Sequence, residues 1–375
     1  MLYFTFNDAP SGIYSGQVVD VCRYLSGISG KPVRLLALIS LRSYWKNRAK
    51  IKAQYPRSIV LPMFPKPRNW RKNSFTLRVV RFFTGEREIM ARGPFATALA
   101  LKLKKKGVFR KVIFDARGAY FAELNEYDVV QDAQVKQEIK NIEREVIHGS
   151  DRQLVVSQAL ADYWKKEYDY AGQTHVVIPC TLNSDTRFAQ QTEEERSKAR
   201  QQVGFSPGDI VLAYSGSSSG WQSLEDFGKH VLPRMQAQPA LKILLMIPRL
   251  PENFAPATQF PDRVKQVWVN AERVGEWLQA ADYGWLVREQ SVTNRVASPV
   301  KFAEYLAAGL QVLISENLGD YSELVAKEQI GYVIAGNDIP GLQPVPAEQR
   351  EKSRQLAGEL FVKSAYRKAY ESLLI

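Results

Sequence analysis

The sequence SPVKFAEYLAAG at residues 298–309 lies between two short apolar runs, YGWLV at 283–287 and QVLI at 311–314. Short apolar runs bounded by polar loops predict buried strands, and the segment between them has the spacing of a helix. Together the three pieces predict a β-loop-α-β unit of a parallel sheet. Because ligands of open α/β sheets bind at the carboxyl ends of strands, the loop 288–297 and the helix start form a candidate site.

The start of this predicted helix has the chemistry of an anion site. Ser298 is expected to be the N-cap, Pro299 the first helical residue, and Gly309 the end of the helix. The N–H groups of a first helical turn lack intrahelical acceptors and attract phosphate. Lys301 and Glu304 are three residues apart and share a face, so they offer a cation to phosphate and a carboxylate to ribose hydroxyls. This pairing suits a nucleoside diphosphate.

The same alternation of short apolar runs and amphipathic stretches extends along the whole chain and predicts an α/β fold. The polar segment 183–208 separates two series of runs, so we predict domains at 1–182 and 209–345 joined by a linker, with a C-terminal helix within 346–375. The predicted strands are residues 2–6, 33–39, 58–61, 88–91, 111–115, 153–156, 210–215, 241–247, 264–269, 283–287 and 311–314.

The stretch 294–309 resembles the nucleotide-sugar site of retaining GT-B glycosyltransferases, particularly family 4, in the branch with the pattern S-P-x-K-x-x-E-Y-L-A-x-G. The resemblance extends over nearly the whole chain. It implies a GT-B architecture of two Rossmann-like, doubly wound parallel-sheet domains facing a central cleft. It also implies that the last helix returns to the first domain and that Glu304 holds the ribose of the donor.

Two departures from the family pattern concern contacts with the donor. Many members have a glutamate at the position of Val296, so Glu289 or Asn294 is expected to take over part of its sugar contacts. Relatives often place Arg and Lys in the loop that here reads GSSSGWQ at 216–222. Its glycines and serines can form a phosphate nest. The nearest cations expected for the diphosphate are therefore Lys301, Arg288 and Arg295.

Two further loops follow predicted strands of the first domain. After the first strand, Gly12 and its small neighbours allow a ligand to approach the backbone, although an ordinary turn explains them equally well. DARGAYFAE begins at Asp115 and resembles the D-x-R-G of the branch. Arg117 can bind an anionic acceptor or the developing diphosphate charge, while Asp115 can orient Arg117 or act as a base. A buried structural Asp–Arg pair is the alternative.

These considerations define two sets of candidate residues. The expected donor-binding residues are Gly12, Gly216, Ser217, Ser218, Ser219, Asn294, Ser298, Lys301 and Glu304. The expected catalytic residues are Asp115, Arg117 and Glu289.

The positive charge is concentrated in one segment. The net charge is +12, and residues 41–85 hold twelve cations and no acid, interleaved with aromatic side chains. This mixture predicts a face for an anionic membrane. A nucleic-acid partner is disfavoured because no recognisable nucleic-acid module is present, and a solvated basic face is the remaining alternative.

Other chemistries find little support in the sequence. Cys22 and Cys180 lack metal-ligand spacing, no D-x-D triplet occurs, and no phosphate-binding P-loop motif is present. We therefore expect no metal and no cofactor. No apolar run approaches the ~20 residues of a transmembrane helix, so we expect a cytoplasmic protein associated peripherally with the inner face of the membrane.

The resulting hypothesis is a metal-independent, retaining glycosyltransferase of the hexosyltransferase class. It would move a sugar from a nucleoside diphosphate sugar to a glycan or lipid-linked acceptor in cell-surface polysaccharide or glycolipid synthesis. A GT-B sugar-nucleotide isomerase or hydrolase, and a catalytically degenerate nucleotide-sugar-binding protein, are the alternatives.

Overall fold

The computed structural model describes residues 1–64, 67–186, 192–216, 223–270 and 273–375, with residues 67 and 68 described by backbone only. The described chain forms two compact units. Unit 1 comprises Met1–Ser184, Val296–Ser298 and Lys363–Ile375. Unit 2 comprises Asp185–Arg295 and Pro299–Val362.

Unit 1 contains a seven-stranded sheet in which every pairing is parallel. Its strands are β1 Leu2–Phe6, β2 Arg34–Ile39, β3 Ile59–Pro62, β4 Glu88–Arg92, β5 Lys111–Asp115, β6 Arg152–Val155 and β7 His175–Val177. The order β3-β2-β1-β4-β5-β6-β7 reverses direction between β1 and β4. Such a switch point opens a crevice at the carboxyl ends of the two strands, where open α/β sheets bind ligands.

Helices connect the strands of unit 1. They are α1 Gly12–Tyr14, α2 Asp20–Ser29, α3 Tyr44–Gln54, α4 Ser74–Thr84, α5 Pro94–Lys104, α6 Tyr120–Glu126, α7 Ala133–Gly149 and α8 Gln158–Tyr168. Local signals set several ends: Pro94 starts α5, the Ser157 hydroxyl caps α8, and Asp169 ends α8 in the left-handed region. A π-helix, Ser15–Val19, precedes α2.

Unit 2 contains a six-stranded sheet, also parallel throughout. Its strands are β8 Ile210–Ser215, β9 Leu241–Met246, β10 Val264–Val267, β11 Tyr283–Leu286, β12 Gln311–Ser315 and β13 Gly331–Ile334. The order β10-β9-β8-β11-β12-β13 places the switch point between β8 and β11. The unit 2 helices are α9 Glu193–Val203, α10 Leu224–Ala237, α11 Ala255–Gln259, α12 Val274–Leu278, α13 Val292–Arg295, α14 Val300–Ala307, α15 Tyr321–Glu328 and α16 Ala347–Leu360.

The chain ends in unit 1 with α17, Arg367–Leu374. Tyr370 and Leu373 are buried in the same apolar core as Val18 and Leu25, and the Tyr370 ring meets Tyr24 of α2 edge to face at 5.3 Å. The last helix therefore contributes to the core of the first unit.

A buried ionic cluster fastens two helices to the amino-terminal edge of the unit 2 sheet. Asp282, which is 1% exposed, accepts hydrogen bonds from Arg196 at 2.8 Å and Arg200 at 2.7 Å, both on α9, and also from Arg350 on α16. Further guanidinium N–H groups donate to backbone carbonyls, including that of Ala281. These partners compensate the desolvation of the buried charges.

The structure confirms the predicted α/β class with two parallel sheets. Each strand predicted from the sequence is present, with boundaries that differ by at most two residues, as for Val264–Val267 against 264–269. The sequence analysis missed β7 and β13, which are short strands at sheet edges. The prediction of a single last helix was also wrong, because a 3₁₀ turn, Lys363–Tyr366, separates α16 from α17.

Candidate functional site

The candidate donor site in unit 2 lies at the sheet's switch point. Here β8 and β11 are neighbours, and their carboxyl ends lead into the loops that begin at Gly216 and Arg288. The loop after β11 contains the short helix α13 and continues to α14. Gly216 and the predicted residues of the loop after β11 therefore lie at the same edge of the sheet.

Helix α14 starts one residue later than the sequence indicates. Its first residue is Val300 and its N-cap is Pro299, which has no side chain that can cap the helix. The Ser298 hydroxyl instead accepts a hydrogen bond from the Cys180 N–H at 2.9 Å. The prediction that Ser298 caps this helix was wrong, while its predicted contact with a donor stays a prediction.

Tyr305 fixes α14 against the switch point. Its hydroxyl accepts from the Ser215 N–H at 3.2 Å and donates to the Trp285 carbonyl at 3.3 Å, so it bonds to β8 and β11 together. The close approach requires Gly284, because a Cβ there would lie 2.3 Å from the Tyr305 ring. Sequence reasoning assigned Tyr305 no role, although it belongs to the E-Y-L-A pattern.

Lys301 and Glu304 lie next to each other on α14 and are half-buried. Burial, and secondarily the nearby Arg288 cation, lower the pKa of Lys301 to about 7. Burial also raises the pKa of Glu304, an effect that Lys301 partly offsets. Among the described residues, none donates a hydrogen bond to the Glu304 carboxylate. Within the described part of the chain, the acceptor capacity of this partly desolvated carboxylate is therefore unused.

Arg288 and Asn294 organise the loop after β11. The Arg288 backbone N–H donates to the Ser315 hydroxyl at 3.3 Å, and its guanidinium donates to the Asn294 side-chain oxygen at 3.2 Å. The Asn294 amide in turn donates to the Glu289 carbonyl at 3.2 Å. Asn294 is 3% exposed, so these contacts make it a positioning residue, and its predicted contact with a sugar stays untested.

The two positions considered for a sugar-contacting carboxylate differ in exposure. Glu289 is exposed and forms no ion pair within the described part of the chain. Val296 is 1% exposed, and its carbonyl accepts from the Ser157 hydroxyl at 2.7 Å. An apolar side chain suits this buried position, where a carboxylate would lose its hydration.

The predicted phosphate nest after β8 is described only at its first residue. The Gly216 N–H donates to the Met246 carbonyl at 3.3 Å, as part of the sheet edge. Ser217, Ser218 and Ser219 lie outside the described residues.

The switch point of unit 1 contains a second ionic cluster. Asp115 is fully buried and forms ion pairs with Arg117, whose Nε lies 2.7 Å away, and with Arg92, whose Nη1 lies 3.7 Å away. The Tyr3 hydroxyl also donates to it. Burial alone would lower the pKa of Arg117, but the adjacent Asp115 charge raises it overall. The sequence analysis missed Arg92, which ends β4 and also pairs with Asp8 at 3.3 Å.

Arg117 remains 15% exposed beside this cluster. Its guanidinium also donates to the Gln17 side-chain oxygen at 3.3 Å, and Gln17 lies in the π-helix after the first loop. Gly12 begins α1 in that loop and is exposed. A π-helix often marks a functional site, and here it places a buried glutamine against the arginine.

Comparisons with known proteins show the fold. No protein-family model matches the chain, and no curated protein matches it in sequence. Anabaena HepE in complex with UDP has a TM-score of 0.72 at 14% identity, covering 100% of this chain and 99% of its own. Sucrose-phosphate synthase from Thermosynechococcus elongatus has a TM-score of 0.69 at 13% identity, and the match covers 100% of this chain and 98% of that protein. A glycosyltransferase from Rickettsia africae has a TM-score of 0.68 at 14% identity, and the match covers 100% of this chain and 98% of that protein. The two parallel-sheet domains match the GT-B fold of these glycosyltransferases.

Proposed function

We propose that this protein is a retaining glycosyltransferase of the family 4 type. It would transfer a hexose from a nucleoside diphosphate sugar to a glycan or lipid-linked acceptor in cell-surface polysaccharide or glycolipid synthesis. The observation that carries this proposal is the half-buried pair of Lys301 and Glu304 at the unit 2 switch point. Retention of anomeric configuration is proposed from the family resemblance.

Glu304 is assigned to the ribose of the donor. Its carboxylate has lost hydration through burial, which raises its pKa, and no described protein group donates to it. A pair of ribose hydroxyls can donate two hydrogen bonds to one carboxylate and restore the interactions that burial removed. Such a ligand gains affinity because the carboxylate is already positioned.

Lys301 and Arg288 are assigned to the diphosphate. The Arg288 charge contributes to lowering the pKa of Lys301, so the two cations interact electrostatically. Both cations would attract the two negative charges of the donor diphosphate. The first turn of α14 adds backbone N–H groups at the same place. As the glycosidic bond breaks, negative charge grows on the diphosphate, and fixed donors there lower the barrier by several kcal/mol.

The remaining roles follow from exposure. Glu289 is exposed in the loop after β11 and is assigned to the sugar. Arg117 is assigned to an anionic group of the acceptor or of the leaving diphosphate. The buried Asp115 is assigned the orienting role, since both of its oxygens contact Arg117. With two protein cations available for the diphosphate, the proposed reaction uses no metal and no cofactor.

The donor base and the location in the cell complete the proposal. HepE was solved with UDP, and a second structure of it contains UDP and glucose. UDP-sugars are therefore the first donors to test. The basic segment 41–85 is proposed to associate peripherally with the anionic inner face of the membrane, near a lipid-linked acceptor.

A ligand panel followed by a product analysis tests the function. We expect one of UDP, GDP, ADP, CMP or their sugars to raise the melting temperature, because binding to the folded state stabilises it. The matching sugar donor should then give a glycosylated product only when an acceptor is present, and NMR of that product should show the anomeric configuration retained. Release of altered sugar without acceptor would favour the isomerase or hydrolase, and binding without turnover would favour the degenerate binding protein.

A further inference from the structure

Helix α4 of unit 1 is apolar on two opposite faces. Leu77 and Val80 point into the unit and are buried. The opposite face exposes Phe75 at 73%, Phe82 at 75% and Phe83 at 80%, with Val79 between them. At 100° per residue, these four side chains and Arg78 fall within one continuous stripe along the helix. An outward stripe of three nearly fully exposed phenylalanines on an 11-residue helix marks a docking surface.

The stripe continues beyond the start of the helix. Phe64 is 69% exposed, and its backbone N–H donates to the side chain of Asn73 at 2.9 Å. Asn73 is the N-cap residue of α4. The Phe64 backbone is therefore tied to the amino-terminal end of α4, and we group its exposed ring with the helix stripe as the α4 face (Phe64, Phe75, Val79, Phe82 and Phe83).

The segment that carries the α4 face is strongly cationic. Arg71 pairs with Glu138 at 2.9 Å. Other exposed cations of the segment form no ion pair with any described residue; they are Arg42, Lys46, Arg48, Lys50, Arg57, Lys72 and Arg78. Because residues 41–85 contain no Asp or Glu, the segment itself does not compensate this charge, which favours binding to an anionic partner.

We propose that the α4 face inserts into the interfacial layer of an anionic lipid bilayer, with α4 lying parallel to the membrane plane. The inference deepens the membrane association proposed above and rests on it, but not on the nucleotide site. Interfacial helices bury an apolar face by roughly 5–10 Å while flanking cations contact anionic headgroups. No helix in the described part of the chain is long and apolar enough to cross a bilayer, which agrees with a helix that lies on the surface.

Charge decides between a membrane and a second copy of the chain. A symmetric dimer through the α4 face would bring the unpaired Lys72 and Arg78 of both copies close together and would be opposed by their repulsion. An anionic bilayer satisfies both components of the surface, because its headgroups neutralise the cations and its acyl region accepts the phenylalanines.

Vesicle flotation tests the inference with the full chain. The parent should float with vesicles containing phosphatidylglycerol and much less with pure phosphatidylcholine vesicles. The variant Phe75→Ser/Phe82→Ser/Phe83→Ser should lose at least about tenfold in affinity for the anionic vesicles, because it removes most of the inserted apolar area. The variant Lys72→Glu/Arg78→Glu should lose binding mainly at low salt, where headgroup attraction is least screened.

Controls separate this result from effects on folding or on the donor site. The Phe→Ser side chains are exposed, so the variant should keep the parent's melting temperature and its affinity for UDP. Val129→Ser/Val135→Ser removes exposed apolar side chains elsewhere in unit 1 and should bind vesicles like the parent. Failure of UDP to bind the parent would count against the proposed function alone.

Four outcomes would overturn the inference. Equal flotation of the parent with anionic and neutral vesicles would show that binding does not depend on anionic headgroups. Equal flotation of the parent and the Phe→Ser variant would show that the α4 face does not contact the bilayer. A concentration-dependent dimer that the Phe→Ser variant abolishes, without vesicle binding by the parent, would assign the face to self-association. Retention of single-stranded RNA in place of vesicles, lost in the same variant, would assign it to base stacking.

Discussion

Two carboxylates at the carboxyl edges of the two sheets have opposite surroundings. Asp115 of unit 1 is fully buried, and its oxygens contact Arg117, Arg92 and Tyr3. Glu304 of unit 2 is half-buried, interacts electrostatically with Lys301, and accepts no hydrogen bond from the described residues. Both lie where α/β sheets bind ligands, yet only Glu304 has unused acceptor capacity.

The difference distinguishes a positioning residue from a ligand-binding one. A buried carboxylate surrounded by cations stabilises the fold and orients those cations, because removing it leaves them uncompensated. A desolvated carboxylate without donors gains its missing hydrogen bonds only when a ligand arrives. We therefore expect substitution of Asp115 to affect mainly stability and substitution of Glu304 to affect mainly binding.

The largest expected effect is on stability. Asp115→Ala should lower the free energy of unfolding by about 3–5 kcal/mol, because it leaves the largely buried Arg117 without its anion and Arg92 with Asp8 alone. Urea denaturation measures the change. As a control, Glu145→Ala breaks an exposed pair with Lys105 and should cost less than about 1 kcal/mol. A loss of stability for Asp115→Ala no larger than that of Glu145→Ala would contradict the structural role of Asp115.

Glu304→Ala should weaken binding of UDP, or of the nucleotide that the ligand panel identifies, and leave stability unchanged or slightly raised. A single hydrogen bond to a charged acceptor contributes about 1.5–3 kcal/mol, so we expect the Kd to rise by at least about 10- to 100-fold. Calorimetric titration measures it. Glu323→Ala, on the exposed side of α15, is the matched control and should bind like the parent. An unchanged Kd for Glu304→Ala would contradict the ribose assignment.

The pH dependence of binding sharpens the role of Lys301. Its lowered pKa of about 7 means that the free protein loses this proton as the pH rises through 7. A bound diphosphate favours the charged amine and raises that pKa, so binding takes up a proton. The Kd should therefore increase with pH above about 7, by at most about tenfold per unit.

Titrations at pH 6.5, 7.5 and 8.5, in buffers of different ionisation enthalpy, measure both the affinity and the proton uptake. Lys301→Arg keeps a cation that does not deprotonate and should flatten the profile. A parent profile that is already flat, with no proton uptake, would show that Lys301 does not contact the diphosphate.

The smallest expected effect is that of metal removal. Because the proposed site uses Lys301 and Arg288 as the positive charge for the diphosphate, UDP affinity and turnover should not change when EDTA replaces added Mg²⁺. The same titration and assay, with and without chelator, provide the measurement. A loss of affinity or turnover in EDTA that Mg²⁺ reverses would mean that a metal ion supplies the positive charge assigned to Lys301 and Arg288.

The fold was readable from the sequence because buried parallel strands are continuous apolar runs. The runs at 2–6, 111–115 and 210–215 coincide with β1, β5 and β8 to the residue. The strand β13 was missed because its sequence, GYVI, is short and starts with a glycine. In the structure this glycine adopts φ 152°. No local pattern marks such an edge strand, whose place is set by pairing with β12.

The site was only partly readable, for a different reason. The spacing of Lys301 and Glu304 shows that they share a helix face, but not that their surroundings shift both pKa values. Ser298 has the local sequence of an N-cap, yet its hydroxyl is used by Cys180, 118 residues away in the chain. Arg92 has no motif of its own, and only the pairing of β4 with β5 brings it beside Asp115. Long-range contacts of this kind decide which polar side chains remain available to a ligand.

A crystal structure of the protein with the UDP-sugar or UDP tests the central claim most directly. The account predicts the ribose hydroxyls within hydrogen-bond distance of the Glu304 carboxylate, and the diphosphate beside the Lys301 amine and the first turn of α14. A nucleotide bound elsewhere, with Glu304 making no contact to it, would contradict the account.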